Sequence, residues 1–244
     1  MRLFPKKKQT PEQQFHGHEY LRHNARRQEH LATLGLDLAN KTVLEVGAGI
    51  GDHTTFFLDR GCTVTSTEPR DDNLAALRRH FKREARVTIE KLDLDAPPAA
   101  DLRTFDIVYA YGVLYHLARP EAALAWLCGK VAPRGVLLLE LCVSFGDADA
   151  PNLVAEDPDL VSQAITGTGC RPTRTWVMNR LRMHLPHAYC TATQPWHSEF
   201  PLNWLPGAKG ESASGLTRAV FVGSRIALDT PLLRPELPHR QSRC

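Results

Sequence analysis

Short apolar runs alternate with amphipathic stretches through the middle of the chain. Runs rich in Val, Ile and Leu predict buried strands at residues 42–46, 63–67, 87–92, 105–111 and 135–143. Apolar positions at helical spacing predict helices between these strands, at residues 52–60, 72–82 and 120–131. Strands that alternate with helices in this way predict a doubly wound, mostly parallel sheet of the α/β class.

The alternation breaks after residue 143. Residues 144–172 are rich in Gly, Asp, Pro and Thr and predict a loop with room for one short helix. A helix predicted at residues 174–185 then leads to two more strands, at 188–193 and 219–228, which brings the sheet to seven strands. An aromatic loop, residues 194–215, separates these last two strands.

The chain is divided by this pattern into an arm, one domain and a tail. Residues 1–40 are polar with a helical apolar stripe in their second half and predict an N-terminal helical arm. Residues 41–228 form a single domain, whose segments 144–172 and 194–215 are expected on the substrate side. The tail, residues 229–244, is rich in Pro and Arg and is expected to be extended or disordered.

Bulk properties exclude several classes of protein. The chain has 244 residues, 43% of them hydrophobic, and a net charge of +3, which suits one globular domain and shows no footprint of duplex binding. The basic cluster Lys6, Lys7 and Lys8 is expected to be solvated and poorly ordered. No C-x-x-C pair occurs, so the cysteines are expected to be reduced core residues. Without a bilayer-spanning run or a signal peptide, we expect a cytoplasmic protein with no membrane partner.

The stretch from Val43 to Thr54, VLEVGAGIGDHT, carries the strongest chemical signal. Its three glycines, Gly47, Gly49 and Gly51, follow a predicted strand and precede a helix, as in turns that bring backbone N–H groups close to nucleotide cofactors. The third glycine comes one residue too early for a dinucleotide fingerprint, and no Lys-Ser or Lys-Thr completes a P-loop. The acidic residue that follows, Asp52, would repel a pyrophosphate, so phosphate ligands are disfavoured.

Together with Glu45, the segment EVGAGIG resembles motif I of the class I S-adenosylmethionine-dependent methyltransferases. The later segment GVLYH, Gly112 to His116, resembles one found in many small-molecule and some tRNA-modifying members, and it lies at the expected distance. The resemblance implies a Rossmann-like, seven-stranded fold, methyltransferase activity and S-adenosyl-L-methionine as the cofactor.

The resemblance also implies which residues hold this cofactor. Glu68, after the second strand, would accept hydrogen bonds from both ribose hydroxyls. Asp93, after the third strand, would accept one from the adenine amino group, with Asp95 as the alternative acid. The full set of predicted cofactor contacts is Glu45, Gly47, Ala48, Gly49, Gly51, Asp52, Glu68, Pro69, Asp93, Leu94 and Tyr111.

Candidate catalytic residues follow the fourth and sixth predicted strands, because ligands bind beyond the carboxyl ends of parallel strands. His116 could act as a general base or only support the pocket, and His197 could orient a substrate or take its proton. The segment that follows the sixth strand is interpreted as a substrate lid, with a simply packed loop as the alternative. The predicted substrate contacts are Tyr115, Trp196, Glu199 and Trp204.

The histidines of the chain show no metal-binding motif. They lack H-E-x-x-H spacing, so a metal site would need contacts between distant segments, and no metal is expected.

These features predict methyl transfer from S-adenosyl-L-methionine to an oxygen, or less readily a nitrogen, of a small molecule or glycan-like metabolite. A nucleic-acid partner is considered unlikely, since neither N-P-P-Y nor D-P-P-Y follows the fourth strand. The alternatives are a tRNA or rRNA methyltransferase and a cofactor-binding partner protein without catalysis. The oligomeric state is left open.

Overall fold

A sheet of eight strands forms the centre of the molecule in a computed structural model that describes residues 10–98, 102–210 and 212–244. The strands in chain order are β1 (Thr42–Val46), β2 (Thr63–Thr67), β3 (Val87–Glu90), β4 (Phe105–Tyr111), β5 (Val131–Cys142), β6 (Leu153–Ala155), β7 (Thr168–Cys170), β8 (His187–Thr191), β9 (Thr193–Gln194), β10 (Arg218–Ser224), β11 (Leu233–Arg234) and β12 (Ser242–Arg243). The helices are α1 (Pro11–Phe15), α2 (His18–Thr33), α3 (Thr54–Leu58), α4 (Asp71–His80), α5 (Pro120–Gly129) and α6 (Arg174–His184).

The order of strands across the main sheet is β11-β8-β10-β5-β4-β1-β2-β3. The five strands from β1 to β5 pair in parallel, while β10 pairs antiparallel with both β5 and β8. The parallel strands need apolar residues on both faces because helices cover both sides, and Val43, Val108 and Leu139 are fully buried. The predicted doubly wound, mostly parallel α/β sheet is confirmed.

The sheet has one strand more than predicted, because the tail contributes an edge. Leu233 and Arg234 pair with Thr191 and Cys190 of β8, and the end of the chain pairs with β9 through β12. The tail is therefore packed on the domain. The segment 144–172 contains the two-stranded ribbon of β6 and β7, and no helix occurs among its residues.

Two apolar layers hold the helices to the sheet. Leu124 of α5 and Trp176 of α6 are buried in the layer on one face, and Leu31 of α2 and Phe57 of α3 are buried in the layer on the other. None of the described helices is both long enough and apolar enough to cross a membrane.

The N-terminal arm packs against the glycine turn. Residues 10–38 contain α1 and α2, as the helical period predicts, whereas Lys6, Lys7 and Lys8 lie outside the described residues. Phe15, at the end of α1, is buried in a small apolar cluster with Ile50 of the turn. The arm is therefore part of the wall around the carboxyl ends of the strands.

A buried network of charged side chains joins α2 to β5 and β10. Both carboxylate oxygens of Glu140 accept charged hydrogen bonds, one from Arg27 Nη2 at 2.6 Å and the other from Arg218 Nη1 at 3.1 Å. All three residues are at most 5% exposed, and Arg218 Nε also donates to Glu199 at 2.5 Å. Two arginines thus face two glutamates, so the four charges balance, and the geometry satisfies ions that burial would otherwise destabilise.

Glu140→Gln is expected to lower the free energy of unfolding by about 3 to 5 kcal/mol, because two buried guanidinium groups lose their shared negative charge. Urea denaturation followed by circular dichroism measures the change. The matched control is Glu29→Gln, which removes an exposed ion pair with Arg26 and should change this free energy by no more than about 1 kcal/mol. Equally small effects in both variants would contradict a structural role for the network.

Candidate active site

A cavity of about 300 Å³ opens where the carboxyl ends of β1, β2, β3 and β4 meet. Ligands of open α/β sheets bind at this edge. Phe15 and Tyr20 of the N-terminal arm close one side of the cavity, and residues 161–165 close another. The strand ends, the arm and the 144–172 segment together enclose one site.

The glycine turn contributes bare backbone to this cavity. Gly47 and Gly49 line it with φ angles of +65° and +60°, which side chains rarely adopt. Gly51 faces the other way, because a Cβ atom there would lie 2.3 Å from Cε2 of Phe81. The structure therefore brings two of the three predicted glycine contacts to the site and gives Gly51 a packing role.

Glu68 lies at the cavity wall with its carboxylate held from three sides. Oε2 accepts a hydrogen bond from the Gly49 amide at 2.9 Å, and Oε1 accepts from the Arg70 amide and from Asn73 Nδ2. Burial raises the pKa of this carboxyl, and the three donors oppose the effect. A carboxylate offers about four acceptor positions, so one remains for a ribose hydroxyl while these bonds are kept.

The acids after β3 have different surroundings. Asp95 is buried, and its two oxygens accept from the Ala118 and Arg119 amides just before α5. Asp93 is half-buried and accepts from the Asp95 amide, and both acids line the cavity. This geometry favours Asp93 over Asp95 as a ligand for a cofactor, and Leu94 and Pro69 line the cavity beside it.

Three other predicted cofactor residues, Glu45, Ala48 and Asp52, line a smaller adjoining cavity and not the larger one. Glu45 Oε2 accepts from Thr54 Oγ1 and Ser66 Oγ, which ties β1 to α3 and β2, and burial raises its pKa to about 7. Asp52 accepts from Asn24 of α2 at 3.4 Å. The contacts of these two carboxylates hold the glycine turn against its neighbours.

Tyr111 faces both cavities with an unpartnered hydroxyl. The hydroxyl is buried, and none of the described residues forms a hydrogen bond with it. Leaving such a group unsatisfied costs about 1–3 kcal/mol. A bound ligand with polar atoms would remove this cost, so the hydroxyl and the exposed turn backbone both fit a polar cofactor such as S-adenosylmethionine.

His116 lines the same cavity and is oriented by an acid that the sequence did not reveal. Its Nδ1 lies 2.5 Å from Glu156 Oε2, in the 144–172 segment. Burial lowers the pKa of His116, and Glu156 opposes this effect. Burial also acts to raise the pKa of Glu156, but the bonds from His116, Ala164 and Arg171 lower it to about 2. The imidazole is therefore neutral near pH 7, with Nε2 available as a proton acceptor.

Two arginines complete the wall beyond Tyr115. Arg218 Nη2 donates to the Tyr115 hydroxyl at 3.0 Å, and Arg171 Nη1 donates to the Tyr115 carbonyl oxygen at 3.1 Å. Sequence reasoning missed both arginines and Glu156. Glu156 and Arg171 lie in a segment without a regular hydrophobic pattern, and Arg218 lies at the start of β10. At such positions the type of a charged residue does not indicate which distant residue it will pair with.

Among the residues that the structure describes, none from the aromatic loop, residues 194–215, lines the cavity. Trp196 is 57% exposed, and its indole donates to the Cys244 carbonyl oxygen. Trp204 is buried and donates to Gln241 Oε1. His197 stacks on His23 of α2, and Glu199 reaches the cavity only through Arg218. This geometry does not support the predicted roles of these four side chains in substrate contact or catalysis.

Glu68→Ala is expected to weaken S-adenosylhomocysteine binding by about 1–3 kcal/mol, because it removes a charged acceptor and the carboxylate that orients the glycine turn. Isothermal titration calorimetry on the folded variant measures the loss. Asp72→Ala, on the exposed face of α4, is the control and should bind as the unchanged protein does. Unchanged affinity in Glu68→Ala would show that another residue holds the ribose.

Comparison with known proteins supports the methyltransferase prediction. A family model described as a methyltransferase domain matches residues 44–137, which include the glycine turn and the GVLYH segment. The tRNA U34 carboxymethyltransferase of Pseudoalteromonas translucida is 35% identical over 113 residues, which are 45% of this chain and 34% of that protein. Other bacterial proteins of the same name match at 34% to 36% identity. The chain thus covers about a third of the length of these curated relatives.

Solved structures share the fold at low identity. The N-terminal domain of EvdMO1, crystallised in the presence of S-adenosylhomocysteine and D-fucose, has a TM-score of 0.58 at 19% identity over 82% of this chain and 81% of that chain. The 1,6-didemethyltoxoflavin-N1-methyltransferase of Burkholderia thailandensis, with S-adenosylhomocysteine bound, has a TM-score of 0.51 at 21% identity over 81% and 73%.

These comparisons correct two predictions and confirm three. The predicted small-molecule or glycan-like acceptor is wrong, and so is the expectation that a nucleic-acid partner is unlikely, because the curated relatives are named as tRNA-modifying enzymes. The predicted methyltransferase superfamily, the enzyme class and the cofactor, S-adenosyl-L-methionine, are confirmed. The chain therefore contains a methyltransferase domain, which the family model places at residues 44–137.

Proposed function

We propose that this chain is an S-adenosylmethionine-dependent methyltransferase that acts on tRNA. The observation that carries the proposal is its identity of 34% to 36% with proteins named tRNA U34 carboxymethyltransferase. The match with the methyltransferase family over residues 44–137 supports the reaction type. A tRNA acceptor also agrees with the cytoplasmic location expected from the sequence.

The size and walls of the cavity suit a single base of a larger substrate. About 300 Å³ is at the lower end of the range for small-ligand sites. Such a volume cannot enclose a tRNA, so all of the tRNA except the nucleotide that reaches the cavity would lie on the outer surface. Phe15, Tyr20 and Tyr115 line the cavity with aromatic rings, which stack on bases drawn out of a strand.

The chain's own residues provide for the removal of a proton from the acceptor. Bound S-adenosylmethionine supplies an activated methyl group for in-line displacement by the acceptor atom. Glu156 holds Nδ1 of His116 as the donor of their hydrogen bond, which directs the basic lone pair to Nε2. In this proposal Nε2 accepts the proton as the acceptor atom forms its bond to the methyl carbon.

The transferred group is proposed to be methyl, although the relatives are named for a carboxymethyl group. A carboxymethyl group carries a carboxylate. A site that binds it is expected to offer a cationic side chain that is not already paired with acids of the protein. In Arg218, Nη1, Nε and Nη2 already donate to Glu140, Glu199 and the Tyr115 hydroxyl. The guanidinium at this wall therefore has its partners within the protein.

Radiolabelled S-adenosylmethionine and unmodified total tRNA are expected to give labelled tRNA with this protein. Nuclease digestion and mass spectrometry of the labelled nucleoside identify the modified base and distinguish a methyl from a carboxymethyl group. His116→Ala is expected to lower the rate by about 10²- to 10⁴-fold if Nε2 accepts the proton, while His18→Ala, an exposed substitution on α2, should not. Labelling of free sugars or small metabolites, with none of tRNA, would contradict the proposed acceptor.

Glu156→Gln is expected to move the acidic limb of the pH–rate profile to lower pH. Burial already lowers the pKa of His116, and the Glu156 carboxylate opposes this by stabilising the imidazolium. Without that charge the pKa of His116 falls further, so a lower pH is needed to protonate and inactivate the imidazole. Single-turnover rates across the acidic range measure the shift. An unchanged limb would exclude His116 as the titrating group.

A further inference from the structure

Three side chains with metal-binding chemistry meet behind the cavity wall, although they come from two distant segments. His23 lies on α2, whereas His197 and Glu199 lie in the loop after β9. One ligand atom from each lies within 4.8 Å of those of the other two. No other group of three His, Cys, Asp or Glu side chains with this geometry occurs in the described ranges of the chain.

His23 supplies an unused donor atom to this group. Its side chain is buried, and none of the residues described by the structure forms a hydrogen bond with its Nε2. A buried nitrogen without a partner is costly, and coordination would remove that cost.

Glu199 and His197 are held in place around this nitrogen. Glu199 Oε2 lies 3.9 Å from His23 Nε2 and accepts from Arg218 Nε at 2.5 Å, while Glu199 Oε1 accepts from Ser214 Oγ at 2.8 Å. Hydrogen bonds of this kind orient the ligands in known metal sites. The ring of His197 stacks on that of His23 with 4.6 Å between the centroids, and one ring nitrogen of each lies within 4.8 Å of the other.

We propose that His23, His197 and Glu199 form a binding site for one Zn²⁺ ion. Ligand atoms about 2.0–2.2 Å from a zinc ion lie about 3.4 Å from one another in a tetrahedron, so the 3.9 Å separation of His23 Nε2 and Glu199 Oε2 needs only a small closure. Imidazole donors favour zinc over magnesium or calcium. Two histidines and one carboxylate also leave a fourth position for water.

The site would connect three parts of the molecule. The ion would hold α2 to the loop after β9. It would also fix the position of Glu199, and through their hydrogen bond that of Arg218, which lines the cavity. The inference stands on these side chains alone and does not depend on the identity of the methyl acceptor.

Zinc binding to the full-length, chelator-treated protein tests the site. Isothermal titration calorimetry with zinc chloride is expected to give one site per chain with a dissociation constant at or below the micromolar range. Magnesium chloride should give no such site. Cobalt(II) in place of zinc should give the visible absorption of a four-coordinate ion. The melting temperature should rise with zinc and not with magnesium.

Variants of the ligands decide between this site and other zinc-binding groups. His197→Gln and Glu199→Gln, which change half-buried loop residues, are expected to weaken zinc binding at least tenfold and to remove the cobalt spectrum. His23→Gln should do the same if it folds, and His18→Gln, an exposed histidine on the same helix, should bind zinc unchanged. Unchanged zinc binding in His197→Gln and Glu199→Gln, or no zinc binding by the unchanged protein, would overturn the proposal.

Discussion

The buried carboxylate of Glu140 must be neutralised, and this requirement constrains the region of the molecule around the carboxyl ends of the parallel strands. A carboxylate that is fully withdrawn from water must be met by cations with good geometry, since an unpaired buried ion costs several kcal/mol. Arg27 arrives from the N-terminal arm and Arg218 from the antiparallel strand β10, and they occupy the two oxygens separately. Segments that are nearly 200 residues apart in the chain are thus fixed to one point of the central strand β5.

The network of Glu140, Arg27 and Arg218 also helps to determine the shape of the cavity. Gly112, directly after β4, has a positive φ of +77°, which favours glycine, and a Cβ atom there would also lie 3.3 Å from Arg27 Nη2. Arg218 holds the Tyr115 hydroxyl, and the neighbouring His116 is held by Glu156. The cofactor side and the acceptor side of the cavity therefore share one electrostatic framework.

The two sides of the cavity come from different parts of the chain. The region shared with the methyltransferase family ends at residue 137 and contains the glycine turn, Glu68, Asp93 and the GVLYH segment. The residues that complete the far wall, Arg171 and Arg218, come later, and so does Glu156, which orients His116 of that wall. Cofactor binding and acceptor choice are thus separable in this fold, because loops beyond the shared strands supply the second wall.

The resemblance of EVGAGIG to motif I of the methyltransferases implied the cofactor, and the sequence by itself determined the parallel sheet, the places of β1, β2 and β4 and the glycine turn. These follow from local signals: apolar runs, alternating glycines and acids at strand ends. Tertiary structure alone decided that Gly51 packs against Phe81, that both oxygens of Asp95 accept from backbone amides just before α5, and that the tail adds an edge strand. It also paired His116 with Glu156 and brought His23 to His197. Such pairings join residues far apart in the chain, and a side chain's type and local period carry no information about a partner that only the packing of the whole domain brings near.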